Sequence, residues 1–106
     1  MGSFGPSLQQ VKVPLTTIDE LLADLKLERT DFIKLDVEGA EKQALAGAKN
    51  TIAKYHPRLA IAMEHLDDDP VLIPPIVFAE WSGYRLTCGD CIDEITYVRP
   101  DVLYFQ

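Results

Sequence analysis

An α/β fold with a mostly parallel sheet and an antiparallel carboxy-terminal strand is predicted by three features of the sequence. Two short apolar runs, Phe32 to Val37 and Leu59 to Met63, are separated by an alanine-rich stretch with helical spacing, and the tail after Gly83 is rich in β-branched and aromatic residues. Short apolar runs bounded by polar residues have the pattern of strands buried on both faces of a parallel sheet. Their alternation with helical segments implies βαβ layering. At 106 residues the chain holds one core.

Residues 1–10 read as a leading segment, disordered or, at Met1-Gly2-Ser3, vector-derived; 11–106 read as one domain. Val11 to Leu15 alternates like a short strand, confined by Pro14 to a sheet edge. Thr17-Ile18-Asp19-Glu20 is a capping box, with Ile18, Leu21, Leu22 and Leu25 as the apolar stripe of a helix ending near Leu25. After the Phe32 strand, Glu38-Gly39-Ala40-Glu41 turns the chain into a helix with Ala40, Ala44 and Leu45 inward and Gly47 as a break. A second helical piece, Ala48 to Tyr55, stops before His56-Pro57. The Leu59 strand follows, closed by Glu64-His65.

Asp67-Asp68-Asp69 lacks the glycine and the distant glutamate of a calcium loop and reads as a solvated charge run. Pro74-Pro75 can open a helix through Trp81 to Gly83. Tyr84 to Thr87, Ile95 to Val98 and Val102 to Phe105 are strand-like, although the last stretch also resembles a protease-tag remnant. Trp81, Tyr84, Phe78 and Tyr97 read as core.

The net charge of −7, from 17 acidic and 10 basic residues, opposes binding to nucleic acid and to anionic membranes. No apolar run approaches the ~20 residues of a membrane span. Two cysteines are too few for a secreted disulfide framework, so a cytoplasmic protein is expected. Cys88-Gly89-Asp90-Cys91 has redox or half-zinc spacing, but it opens no helix and has no second cysteine pair; two free thiols in a turn is the reading, with a zinc site completed by His56 or His65 as the alternative.

Asp31-Phe32-Ile33-Lys34-Leu35-Asp36-Val37-Glu38-Gly39-Ala40-Glu41, followed by Leu45-Ala46-Gly47-Ala48 and Pro57-Arg58-Leu59, resembles the signature of FkbM-family methyltransferases. Val13 to Leu21 is similar to that family's approach to the motif. The resemblance implies the carboxy-terminal half of a partial Rossmann-like (class I methyltransferase) three-layer sheet, and an S-adenosylmethionine-dependent enzyme that methylates a hydroxyl of a small molecule or saccharide. Nothing upstream resembles the family's glycine-rich turn, so weak cofactor affinity is expected, together with homo-oligomerisation or association with the missing first half through an open sheet edge. The competing reading is a non-catalytic assembly module.

Ligands of open α/β sheets lie at the carboxyl ends of the strands, which places Asp36, Glu38, Glu64 and His65 together as candidate catalytic residues. Adjacent strand ends lie about 5 Å apart, so Asp36 and Glu64 are also candidate ligands for a divalent metal such as magnesium, a placement similar to that in catechol-type O-methyltransferases. Asp36, Val37 and Gly39 are the candidate cofactor contacts. Against these stand plainer roles: helix capping for Asp36 and Glu38, an ion pair between Lys34 and Asp36, close helix-to-sheet packing for Gly39, and solvent exposure for His65.

Overall fold

The computed structural model describes residues 10–89, 91–93 and 98–106, the strand residues 91–93 and 98–99 by their backbone alone. The helices are α1 (Ile18–Asp24), α2 (Glu41–Ala46), α3 (Lys49–Tyr55) and α4 (Asp69–Glu80). The strands are β1 (Phe32–Leu35), β2 (Arg58–Ala62), β3 (Leu86–Cys88), β4 (Cys91–Asp93), β5 (Val98–Pro100) and β6 (Val102–Phe105).

Four strands form one sheet in the order β1-β2-β6-β3, and β4 and β5 pair separately. As predicted, the Phe32 and Leu59 strands run parallel, with Ile33 opposite Leu59 and Leu35 opposite Ile61. The carboxy-terminal β6 enters antiparallel between β2 and β3, which leaves β3 on an edge. The sheet is therefore mixed rather than mostly parallel, because β6 makes both of its pairings antiparallel. Val102 to Phe105 is a central strand of the sheet, as its strand-like pattern predicts. Of the predicted Ile95 strand, only Val98 lies among the described residues, as does the backbone alone of Cys91; Tyr97 lies outside them.

Strand alternation divides the sheet into two faces. Leu35, Leu59, Ile61, Leu103 and Phe105 share one face with Met63 and meet Leu45, Ile52, Ile73 and Val77 from α2, α3 and α4. Most of these side chains are fully buried, each contributing on the order of 2 kcal/mol of hydrophobic stabilisation. Tyr84 closes the core, its hydroxyl donating to the Pro57 carbonyl. The opposite face carries Phe32, Lys34, Ala60, Ala62, Val102 and Tyr104 around an open cavity of 340 Å³. Among the described residues, helices thus cover one face of the sheet, two layers where three were predicted, and β1 is not buried on both faces, since Phe32 remains 51% exposed.

Several local expectations change. Val11 to Leu15 forms no strand: Pro14 removes a ladder donor, and Leu15 is 95% exposed. In α1 the Thr17 hydroxyl accepts the Glu20 amide at 3.1 Å as the capping box requires, yet Leu21 and Leu25 stay exposed; Ile18 alone joins the core cluster. Ala40, expected inward, is exposed as the residue that precedes α2.

Helix α4 starts earlier than predicted. It opens at Asp69 with Pro70 in its first turn and carries Pro74 and Pro75 in its interior. Pro70, not Pro74, occupies the position where a missing N–H has no consequence. The acidic run is solvated only in part: Asp67 and Asp68 are exposed, as expected, and Asp69 is not. Asp69 is buried and receives Lys42 Nζ at 3.1 Å, tying α4 to α2 at the end where the helix dipole favours negative charge.

Candidate functional site

The parallel pairing of β1 and β2 brings Asp36, one residue past β1, beside Glu64 and His65, two and three residues past β2. Asp36, Glu64 and His65 each offer one ligand atom, all within 4.8 Å of one another. His65 Nε2 lies 3.4 Å from Asp36 Oδ1 and 3.4 Å from Glu38 Oε1. The predicted catalytic residues Asp36, Glu38, Glu64 and His65 therefore gather on one rim. Asp36 and Glu64 also line the 340 Å³ cavity, beside Lys34 and Tyr104.

Glu38 projects into solvent, its side chain 83% exposed, whereas the His65 side chain is only 14% exposed and is not the solvent-facing loop residue that was the plainer expectation. Burial draws the pKa of His65 down, but the attraction of Glu38, Glu41, Asp36 and Glu64 outweighs it and raises the ring above its ordinary 6.5.

The turn that aims these groups has an unusual backbone. Ala40 N–H closes it on the Val37 carbonyl at 3.1 Å, with Glu38 at φ +56° and Gly39 at φ +101°. A side chain at Gly39 would meet only ordinary contacts, 3.8 Å to Leu66, so the glycine answers to backbone conformation and not to helix-to-sheet packing. Glu38 in the left-handed region costs on the order of 1 kcal/mol.

Glu41 offsets that strain. It is fully buried, and its carboxylate accepts the Val37 amide at 2.7 Å and the Gly39 amide at 3.1 Å. Reading the sequence did not single out Glu41. The available signal was an acid at the first position of a helix that follows a glycine turn, where no Ser, Thr, Asp or Asn precedes it to cap the helix. Because Glu41 takes both amides, the backbone of Val37 and Gly39 has no donor left for a ligand. The Val37 side chain instead lines a second, apolar cavity of 520 Å³ between the start of α1 and the turn.

Oxygen donors from Asp36 and Glu64 with a nitrogen from His65 fit a hard divalent cation. The same carboxylates fit the positive charge of a sulfonium group. Among the described residues, Gly39, Gly47, Gly83 and Gly89 lie far apart in the chain and form no glycine-rich cradle for a nucleotide.

The other candidates do not join the rim. Lys34 makes no ion pair with Asp36 among the described residues. His56 stacks on Trp81 with ring centroids 3.9 Å apart and planes 8° from parallel. Cys88 is exposed and free at the end of β3. His56 is thus engaged with Trp81 and His65 with carboxylates, and neither attends the thiol.

Residues 3–86 match the family model of the methyltransferase FkbM domain. The structure superposes on the crystal structure of the methyltransferase FkbM from Methylobacillus flagellatus with a TM-score of 0.63 at 27% sequence identity, over 80% of this chain and 22% of that one. The chain thus spans about a fifth of the length of that protein. No curated protein matches it in sequence. Among the described residues, no helix is long and apolar enough to cross a membrane.

Proposed function

Since the chain belongs to the methyltransferase FkbM domain family, we propose that it forms the acceptor-side rim of an S-adenosylmethionine-dependent O-methyltransferase acting on a small-molecule or saccharide hydroxyl. The observation that carries this reading is the convergence of Asp36, Glu64 and His65 at the ends of two parallel strands, beside an open cavity. The strand arrangement is consistent with a partial Rossmann-like sheet of class I type, with β1 and β2 as its parallel pair and β1 at the open edge.

S-adenosylmethionine supplies an electrophilic methyl carbon on its sulfonium when bound. Asp36 and Glu64 accept hydrogen bonds from the acceptor, orient its reacting hydroxyl and favour positive charge beside it. His65 Nε2, facing the same rim, takes the hydroxyl proton as the oxygen gains its methyl group. Alternatively, a divalent cation such as magnesium would be held by Asp36 and Glu64, with His65 as a third ligand in place of its role as base, and would lower the pKa of that hydroxyl. The competing reading, a non-catalytic module that associates through the open β1 edge, gains nothing from the family match.

The test is to add S-adenosylmethionine to the isotope-labelled chain, with and without Mg²⁺, and follow its amide resonances. Shifts confined to Asp36–Gly39 and Glu64–His65 at submillimolar cofactor are expected. Unchanged resonances at millimolar cofactor and millimolar Mg²⁺ would overturn the assignment.

A further inference from the structure

We propose that Glu41 is the positioning residue of this rim, keeping a proton on Nδ1 of His65 so that Nε2 is the exchangeable nitrogen presented to Asp36 and Glu38. The inference deepens the reading above and rests on it for its link to methyl transfer.

The two ring nitrogens of His65 face carboxylates of different kinds. Nδ1 is buried and lies 3.3 Å from Glu41 Oε2, at ion-pair distance though outside good hydrogen-bond alignment. Glu41 is 0% exposed, and the amides of Val37 and Gly39 pin both of its oxygens, so it cannot turn away. A carboxylate only accepts hydrogen bonds, and a lone pair on Nδ1 pointed at it across this distance would be repelled. The arrangement is tolerable only with the proton on Nδ1.

On the other side, Nε2 faces Asp36 and Glu38, whose side chains are 50% and 83% exposed. Those groups can rotate, exchange partners with water and admit a ligand. One nitrogen thus faces a fixed acceptor and the other faces mobile ones. A neutral imidazole can have one donor and one acceptor nitrogen, and this asymmetry decides which is which, as an outer carboxylate does for histidines at reactive centres. The same Glu41 oxygens fix the turn that aims Asp36 and Glu38, so one buried side chain sets both halves of the rim.

The test is long-range ¹H–¹⁵N correlation on the full chain at a pH above the titration of His65, which distinguishes a protonated ring nitrogen from one carrying a lone pair. Nδ1–H is expected in the parent protein, with Nε2–H becoming the majority form in Glu41→Met, which removes the acceptor while keeping a side chain of similar length. A parent protein with mainly Nε2–H, or a folded Glu41→Met variant that keeps Nδ1–H, would overturn the proposal. If that variant does not fold, the parent spectrum alone decides. A Mn²⁺ titration of the same sample separates this inference from the functional reading. Nδ1–H without broadening at Asp36 and Glu64 would keep Glu41's role and remove the cation reading, whereas broadening together with Nε2–H would do the reverse.

Discussion

The Asp19 carboxylate caps a helix that is not its own: its Oδ1 accepts the Thr51 amide at 2.8 Å and the Thr51 hydroxyl at 2.7 Å, and its Oδ2 accepts the Asn50 amide at 3.0 Å. Helix α3 follows Ala48, which has no side-chain acceptor, so its first amides depend on α1. Burial alone would raise the Asp19 pKa, but the Thr51 hydroxyl and the Thr51 and Asn50 amides hold it below the ordinary 3.8. A depressed carboxylate stabilises the fold above its unfolded pKa and loses that contribution as pH falls through the folded one. Asp19→Ala is expected to destabilise the protein by about 1–2 kcal/mol near neutral pH. Urea denaturation should show the difference shrinking as the pH drops below 3.8, and a constant difference would argue against the capping role.

Glu80 behaves in the opposite sense. Burial first, and the nearby Asp19 charge second, push its carboxyl up to about 7 against a partial pull from Lys49, and its Oε2 is buried without a hydrogen-bond partner. A raised carboxyl contributes stability below its unfolded pKa and loses it as pH rises through the folded value of about 7. Glu80→Gln is therefore expected to gain about 1 kcal/mol at about pH 8.5, with solvent screening allowed for, and nothing at about pH 4. Thermal melts at the two pH values check this; an equal effect at both would show that the charge is not the cause.

The strand ends were legible in the sequence because short apolar runs followed by acids leave few alternatives: Asp36, Glu38, Glu64 and His65 meet where the parallel pairing of β1 and β2 puts them. What was not legible depended on partners distant in the chain. Asp19 reads as part of its own capping box but serves α3, 31 and 32 residues away. Asp69 reads as one of three solvated acids until Lys42, 27 residues earlier, is brought against it. Glu41 was read only as part of the turn into its helix, because periodicity reports the direction of a side chain and not which loop folds back over it. The leucines of α1 matched a helical stripe, but Leu21 and Leu25 meet no opposing surface among the described residues.

Gly83 is required by its neighbour. A Cβ there would lie 2.3 Å from Cζ2 of Trp81, whose ring stacks on His56 and meets the edge of Tyr84 at 4.6 Å between centroids. The indole is in contact with two aromatic rings, so moving it disturbs those contacts. Gly83→Ala is expected to destabilise the fold by about 1–3 kcal/mol, as overpacking does. Trp81 is the single tryptophan, so its emission should shift in the folded variant. An unchanged spectrum with unchanged stability would show that the indole has room to move.

His65 makes the sharpest electrostatic prediction, because four carboxylates, Glu38, Glu41, Asp36 and Glu64, oppose the effect of burial and raise its pKa above 6.5. The sign follows from the raised value: the protonated ring is favoured in the folded state, its contribution to stability is complete below 6.5, and it fades as pH climbs through the folded pKa. Glu38 is the largest of the four attractions and is 83% exposed, with no hydrogen-bonding duty in the turn beyond its backbone. Glu38→Gln should therefore lower the His65 titration midpoint without lowering the melting temperature beyond what the lost charge implies. Proton NMR of the ring resonances reads the midpoint directly. If transfer to an acceptor depends on a neutral Nε2, the rate should rise with pH through that same midpoint and shift to lower pH in Glu38→Gln. A midpoint at or below 6.5 in the parent protein would mean that the rim carboxylates do not act on the ring, leaving burial in control.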